Sequence, residues 1–176
     1  MKSIRVNNIC HSTCNGPGNR LVIWTQGCKF NCQGCFNPET HANSGGKMIS
    51  TNELAKRIND DCSIGGITIS GGEPLLQSEV VLDLLNQLRT ELTIVLYSGY
   101  SVKEVLKDKD KIDVIKKVDV AIMGRYDKTL EHPYYGKEFM VLTDRIDINY
   151  FKPRYTIEYS INNDMVTKTG IFKTTT

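Results

Sequence analysis

No run of apolar residues in this sequence approaches the ~20 needed to span a bilayer, so no membrane helix is expected. The opening "MKSIRVNNIC" lacks the apolar stretch of a secretory signal, which makes a cytoplasmic location the expectation. A one-sided charge is missing as well. The formal net charge is +2, and acidic and basic residues interleave in "VKEVLKDKDKIDVIKKVD", as on the solvated face of a helical region. That pattern argues against a nucleic-acid partner. Internal repeats, low-complexity runs and Pro/Ser-rich linkers are absent too, so the 176 residues fit a single domain, 1–176, around one core. No His/Asp or Ser/His constellation suggests itself, and His11, His41 and His132 read as surface or supporting groups.

What is present is clustered thiol chemistry. The chain has six cysteines. In a reducing compartment these argue for metal or redox chemistry rather than for disulfides. Cys28, Cys32 and Cys35 in "GCKFNCQGC" have C-x3-C-x2-C spacing. Three thiolates suit an iron–sulfur cluster or zinc, both of which take soft anionic ligands. On a 4Fe–4S cube they would leave one iron open for a substrate or cofactor. The bacterial ferredoxin pattern needs a fourth cysteine and a following proline, whereas Phe36 and Asn37 follow Cys35. The alternative is a structural zinc with His41 or His11 as fourth ligand, making the chain a binding module. Cys10 and Cys14 repeat the C-x3-C spacing with no third cysteine nearby and read as non-ligands. Cys62 reads as a small buried or semi-buried side chain.

Alternation of strand and helix signals organises the rest. Leu21–Gly27 reads as a buried strand feeding the cysteine loop. Ser50 and Glu53 form a capping-box pattern for a helix to about Asn59. Ile67–Ser70 is a β-branched strand that stops at "GGEP", and the next segment puts Val80, Val81, Leu84, Leu85 and Leu88 on one helical face. "LTIVLYSGY" is a third strand, Ser101 and Glu104 box the helix after it, and "VDVAIMGRY" is a fourth strand. This order predicts a parallel sheet covered by helices, with ligands at the strands' C-terminal ends. The four loops there would converge on one site. "RYTIEYSINNDMVTKTGIF" reads as an antiparallel hairpin turning at "NND". "SGGEP" is either a tight turn or a close backbone approach to a ligand, with Glu73 as acceptor for an ammonium group. It is not a P-loop, because no Gly-Lys-Ser/Thr follows.

Taken together, "GPGNRLVIWTQGC", "CKFNCQGCFNPETH", "GITISGGEPLLQ", "LYSGY", "VDVAIMGRYD" and "VLTDR" resemble the radical S-adenosylmethionine proteins. Within them the chain is similar to the small activases of anaerobic ribonucleotide reductase, a branch of the glycyl-radical-enzyme activases. The resemblance implies an α/β fold, an open partial β/α barrel with a C-terminal hairpin at about 155–172. It implies a 4Fe–4S cluster on Cys28, Cys32 and Cys35, whose open iron chelates S-adenosylmethionine. Gly34 and Phe36 would lie along that cofactor, and Gly71, Gly72 and Glu73 would meet its ammonium. Ser98 would approach the ribose, and Met123 and Gly124 the adenine. In such proteins one electron breaks the S–C5′ bond, and the resulting radical takes a hydrogen atom from a glycine of a partner enzyme. No protein acid–base pair is required. Implied partners are a glycyl radical enzyme, with the large subunit of anaerobic ribonucleotide reductase as the leading expectation, and a flavodoxin- or ferredoxin-type electron donor. The chain has no Arg-Val-x-Gly-Tyr-like glycyl-radical motif of its own. It departs from the family pattern at Gly34, at Met123 and in "YYGKEFMVL". A radical enzyme acting on peptides or small molecules is the alternative on the same scaffold.

Overall fold

Where the sequence alternates strand with helix, the computed structural model, which describes residues 2–162 and 165–171, pairs the strands in parallel. The elements are β1 (Ser3–Ser12), β2 (Arg20–Thr25), β3 (Lys47–Ser50), α1 (Thr51–Asp60), β4 (Gly66–Gly71), α2 (Ser78–Leu85), β5 (Thr93–Ser98), α3 (Val102–Val105), α4 (Lys109–Ile115), β6 (Val120–Met123), β7 (Glu138–Val141), β8 (Thr156–Asn162) and β9 (Met165–Ile171). A seven-stranded sheet has the order β3-β1-β2-β4-β5-β6-β7, and β8 and β9 form a separate antiparallel pair. The fold is therefore mixed α/β, with a parallel centre and antiparallel margins. The expected hairpin is present as β8 and β9. Asn163 and Asp164 of its turn, and Phe172 at its end, lie outside the described residues. No helix among the described residues is long and apolar enough to cross a membrane.

Three strands, β1, β3 and β7, have no counterpart among the expected elements. β1 buries only Ile4, Val6 and Ser12, and its register shifts between Val6 and Asn8. That bulge breaks the two-residue period on which strand recognition depends. β3 and β7 are four-residue margins with no fully buried residue, too short to carry a periodic signal.

The pleat sorts the parallel strands' side chains into two sets. Leu21, Ile23, Ile67, Ile69, Ile94, Leu96, Ala121 and Met123 pack with Leu54, Ile58, Val81, Leu84 and Val114 of the helices. Burying each such Leu, Ile or Val is worth about 1.5–3 kcal/mol. The other face carries Val95, Val120 and Ile122, packed with Tyr134, Ile146 and Phe151. Trp24, Ser70, Tyr97 and Ile122 of that face line a cavity toward the strands' C-terminal ends.

The two expected capping boxes part company. Ser101 and Glu104 form theirs, with the Ser101 side chain accepting from Glu104 N and Glu104 accepting from Ser101 N at 2.8 Å. Ser50 makes no capping bond, and its buried hydroxyl has no partner among the described residues. It also pairs with Ser3 in the β1–β3 ladder, and Thr51 N donates instead to Lys2 O. The expected third helix is broken into α3 and α4 because Asp108 caps a new start, accepting from Asp110 N and Lys111 N. Cys62, expected in a buried place, is exposed. It sits in the turn after α1, where Asp61 accepts from Ser63 and the thiol is left outside.

At the N-terminal ends of the central strands, Asp119 fastens β7's exit to β5. It accepts from Ile94 N at 2.7 Å, from Thr143 Oγ1, and from Arg145 Nε and Nη2 at 2.8 and 2.9 Å. Burial pushes the Asp119 carboxyl up, but the bonds from Arg145, Thr143 and the Ile94 amide outweigh it and hold the group below its ordinary 3.8. A carboxyl lowered in the folded state stabilises above its unfolded value, and that contribution is lost as pH falls through the folded one. Arg145→Met is expected to destabilise by on the order of 2–3 kcal/mol at pH 7, less than for a fully buried pair because Arg145 is partly exposed. Urea unfolding at several pH values should show the gap from the parent closing below about pH 4.

Candidate functional site

The loop after β2 is built to present sulfur. Gly27 turns at φ +99°, its N–H donates to Thr40 O at 2.8 Å, and Cys28 N donates to His41 O at 3.0 Å. Gln26 ties down the loop's far limb through Ala42 O at 2.7 Å and Glu39 O at 3.1 Å. Asn31 at φ +47° and Gly34 at φ +71° take the left-handed turns between the cysteines. Backbone N–H groups then face two of the thiols. Asn37 N donates to Cys35 Sγ at 3.4 Å, and the Phe30 and Asn31 amides face Cys28. Burial pushes both thiols up, while these amides act in the opposite direction by favouring the thiolate.

Cys28, Cys32 and Cys35 are half-buried and line one cavity of about 310 Å³. Among the described residues, no three His, Cys, Asp or Glu side chains close around a single-ion position. His41 lines the same cavity without completing such a set. Three thiols on one cavity, two with N–H donors aimed at them, can serve as the soft anionic ligands that an iron–sulfur cluster takes.

The loop after β4 reaches this wall by close backbone approach. Gly72 N donates to Thr25 O and Glu73 N to Gly27 O, both at 2.8 Å. A Cβ on Gly72 would lie 2.3 Å from Gly27 O, and one on Gly71 would lie 2.3 Å from Thr25 N. Glu73 is fully buried. Its carboxylate accepts from Leu75 N at 2.8 Å, Ser98 Oγ at 2.9 Å and Gly99 N at 2.6 Å, so it joins the loops after β4 and β5. Burial pushes its carboxyl up to about 7 against the pull of those three donors. The carboxylate lines the cavity yet is largely engaged by the protein, leaving limited acceptor capacity for a ligand.

Gly71, Gly72, Glu73, Ser98, Gly124 and Phe36 join the three cysteines on the cavity wall. Phe36 is tilted against Tyr126 with ring centroids 4.8 Å apart. Two expected site residues lie elsewhere. Gly34 is exposed, its α-carbon over Lys128. Met123 is fully buried among the helix-facing core residues, and its neighbours Ile122 and Gly124 line the cavity instead. The strand's two-residue alternation decides that difference.

Several lining residues were not singled out from the sequence. Tyr97 and Tyr134 meet hydroxyl to hydroxyl at 2.8 Å, and Lys137 reaches in from the loop before β7. Cys10 of β1 shares the cavity, whereas Cys14 does not line it. Lys168, Thr169 and Gly170 of β9 contribute another side. A pleat alternation in "YSG" could have flagged Tyr97; nothing local flags Lys137. His132 is buried rather than on the surface. Its Nδ1 accepts from Tyr134 N at 3.2 Å, which leaves Nε2 to donate to Arg154 O at 3.0 Å.

Residues 14–139 match the family model described as a 4Fe-4S single cluster domain. Among curated relatives, the chain is 33% identical over 124 residues to the anaerobic ribonucleoside-triphosphate reductase-activating protein of Enterobacteria phage T4, covering 66% of this chain and 76% of that one. It is 30% identical to the protein so named from Escherichia coli, covering 68% and 82%. It is 39% identical over 116 residues to a pyruvate formate-lyase-activating enzyme of Clostridium pasteurianum, covering 60% of this chain and 49% of that one. The chain thus matches about half the length of the clostridial relative.

Replacing Glu73 should separate its structural and ionic contributions. Glu73→Ala leaves Leu75 N, Gly99 N and Ser98 Oγ without their acceptor and is expected to cost on the order of 3 kcal/mol or more in urea unfolding. An acid raised in the folded state stabilises below its unfolded value, near 4.5, and that contribution is lost as pH rises through about 7. The parent should therefore lose stability relative to the non-titrating Glu73→Gln between about pH 4.5 and 7. A pH-independent difference would contradict the raised value.

Proposed function

The chain belongs to the 4Fe-4S single cluster domain family, and on that premise we propose that it is a radical S-adenosylmethionine activase acting on a glycyl radical enzyme. The observation that carries the reading is the meeting of the three-thiol wall with the Gly71–Glu73 loop on one cavity. Cys28, Cys32 and Cys35 would hold the cluster through their thiolates, two of them supported by backbone N–H groups. A cluster held there would supply one-electron reduction of the sulfonium of S-adenosylmethionine, the chemistry on which hydrogen abstraction from a partner glycine would depend.

The chain's own residues bind, orient and shield. Gly71 and Gly72 let the backbone lie against the cysteine loop, and Glu73 offers its remaining acceptor capacity to the cofactor's ammonium. Ser98 holds the carboxylate in place through its hydroxyl bond. Ile122 and Gly124, on either side of Met123, supply the wall assigned to the adenine, with Phe36 along the cofactor. Gly34 contributes a backbone turn rather than a cavity surface. The open seven-stranded sheet is read as part of a β/α barrel, whose uncovered side admits a macromolecular segment. The partner reading, an anaerobic ribonucleotide reductase, follows the names of the phage and bacterial relatives; a flavodoxin- or ferredoxin-type electron donor and a cytoplasmic setting are further parts of the proposal.

After anaerobic reconstitution, Cys28→Ala, Cys32→Ala and Cys35→Ala should each lose the cluster, while Cys10→Ala and Cys14→Ala keep it, by iron and sulfide counts. The parent should cleave S-adenosylmethionine slowly alone. Adding the partner reductase should yield stoichiometric 5′-deoxyadenosine and a glycyl doublet in electron paramagnetic resonance. Deuterium at the partner's glycine α-carbon should appear in the 5′-deoxyadenosine. Absence of transfer, together with turnover of a small metabolite without a partner, would replace this reading with a small-molecule radical enzyme.

A further inference from the structure

Lys137 is the half-buried cation of the cavity and has no salt bridge among the described residues. The backbone fixes its place: Gly136 turns at φ +71°, and Lys137 N donates to Tyr134 O. Its stem lies over Gly124, where an added Cβ would come 3.6 Å from Lys137 Cδ. The ammonium donates to Gly124 O, which occupies one of its three donors. Nearby Arg125 is already engaged by both oxygens of Glu104. Glu73, the cavity's buried carboxylate, is engaged by Leu75, Ser98 and Gly99. Burial works most strongly against its charged form, while Cys32, Asp127 and Cys35, where ionised, act in the opposite sense. Asp127 is itself bonded to Thr129. A partly desolvated ammonium with one of its three donors engaged among the described residues calls for an anionic partner, and Cys28, Cys32 and Cys35 line the same cavity.

We propose that Lys137 is a positioning residue whose ammonium faces the anionic, thiolate-bound cluster and sets its reduction potential. The inference rests on the reading of Cys28, Cys32 and Cys35 as cluster ligands. A 4Fe–4S cube on three thiolates is anionic when oxidised and gains one more negative charge when one electron arrives from a low-potential donor, with no bond broken and no proton taken up. A fixed positive charge beside it favours the reduced form more than the oxidised one and so raises the potential.

The test is a mediated redox titration of reconstituted parent, Lys137→Gln and Lys137→Arg, read by the electron paramagnetic resonance signal of the reduced cluster. Iron and sulfide counts come first, because a parent without a cluster removes the reading underneath rather than the role of Lys137. With clusters present, the glutamine variant should show the reduced-to-oxidised ratio at a fixed potential falling about tenfold, about 59 mV for one electron. The arginine variant should stay near the parent. Lys137→Met replaces the glutamine variant if that one does not fold. Equal potentials in all variants overturn the proposal, as does an arginine variant displaced as far as the neutral one. Unchanged potential with weakened S-adenosylmethionine affinity assigns Lys137 to the cofactor's carboxylate and also overturns it. Failure of both neutral variants to take up a cluster makes Lys137 a structural residue and overturns the proposal as well.

Discussion

A side-chain carbon on Gly72 would lie 2.3 Å from the carbonyl oxygen of Gly27, and the arrangement of the site follows from that closeness. Only a bare α-carbon lets the loop after β4 cross the loop after β2 and exchange the bonds Gly72 N to Thr25 O and Glu73 N to Gly27 O. Those two bonds continue the β2–β4 ladder beyond the strands themselves. They set the cysteine loop's height above the sheet. They also aim Glu73 across the sheet toward Ser98 and Gly99, so that the loops after three parallel strands are joined through one backbone crossing and one carboxylate.

Charge is handled differently at the two ends of the cavity-bearing face. At the strands' N-terminal ends, Arg20 is fully buried and directs its guanidinium at Thr68 Oγ1, Thr93 Oγ1, and the carbonyls of Pro17, Ile67 and Thr93. Burial lowers it to about 10, which keeps it protonated at neutral pH, and neutral oxygens satisfy its donors. That end is a closed structural plug. At the C-terminal ends the polar groups retain capacity: a carboxylate with one side still available, an ammonium with one bond, thiols with N–H donors behind them. The contrast separates a polar group used for folding from one held ready for a ligand.

The antiparallel additions give the parallel centre its context. β1 brings Cys10 to the cavity, the loop before β7 brings Lys137, and β9 brings Lys168 to Gly170. β8 and β9 dock through Glu158, which accepts from Thr13 N at 3.1 Å, and through Thr169, whose hydroxyl accepts from Asn15. The family match stops at residue 139, so the hairpin that walls one side of the cavity belongs to the part of the chain beyond it.

The sequence alone determined the features whose causes are local. Continuous β-branched runs specified β2, β4, β5 and β6, apolar spacing specified α2, and the Ser50–Glu53 pattern placed α1, because each signal lies within one turn or one pleat of itself. The three thiols and the Gly-Gly-Glu-Pro loop were legible for the same reason: eight residues and four residues carry their chemistry without help. Tertiary structure decided whatever depends on a partner distant in the chain. Ser50 could not cap α1 because Ser3 holds it in a ladder, while Ser101, with no such competitor, capped α3 as its sequence implies. Met123 and Ile122 are both apolar, and only the register of β6 against β5 sends one to the helices and the other to the cavity. Glu73 reads in the sequence as a free acceptor. It became an engaged one through Ser98 and Gly99, 25 and 26 residues away. Lys137 was invisible because nothing in its local sequence marks a cavity residue, and its charge acquired meaning only where β6 and β7 pair and bring it beside Gly124.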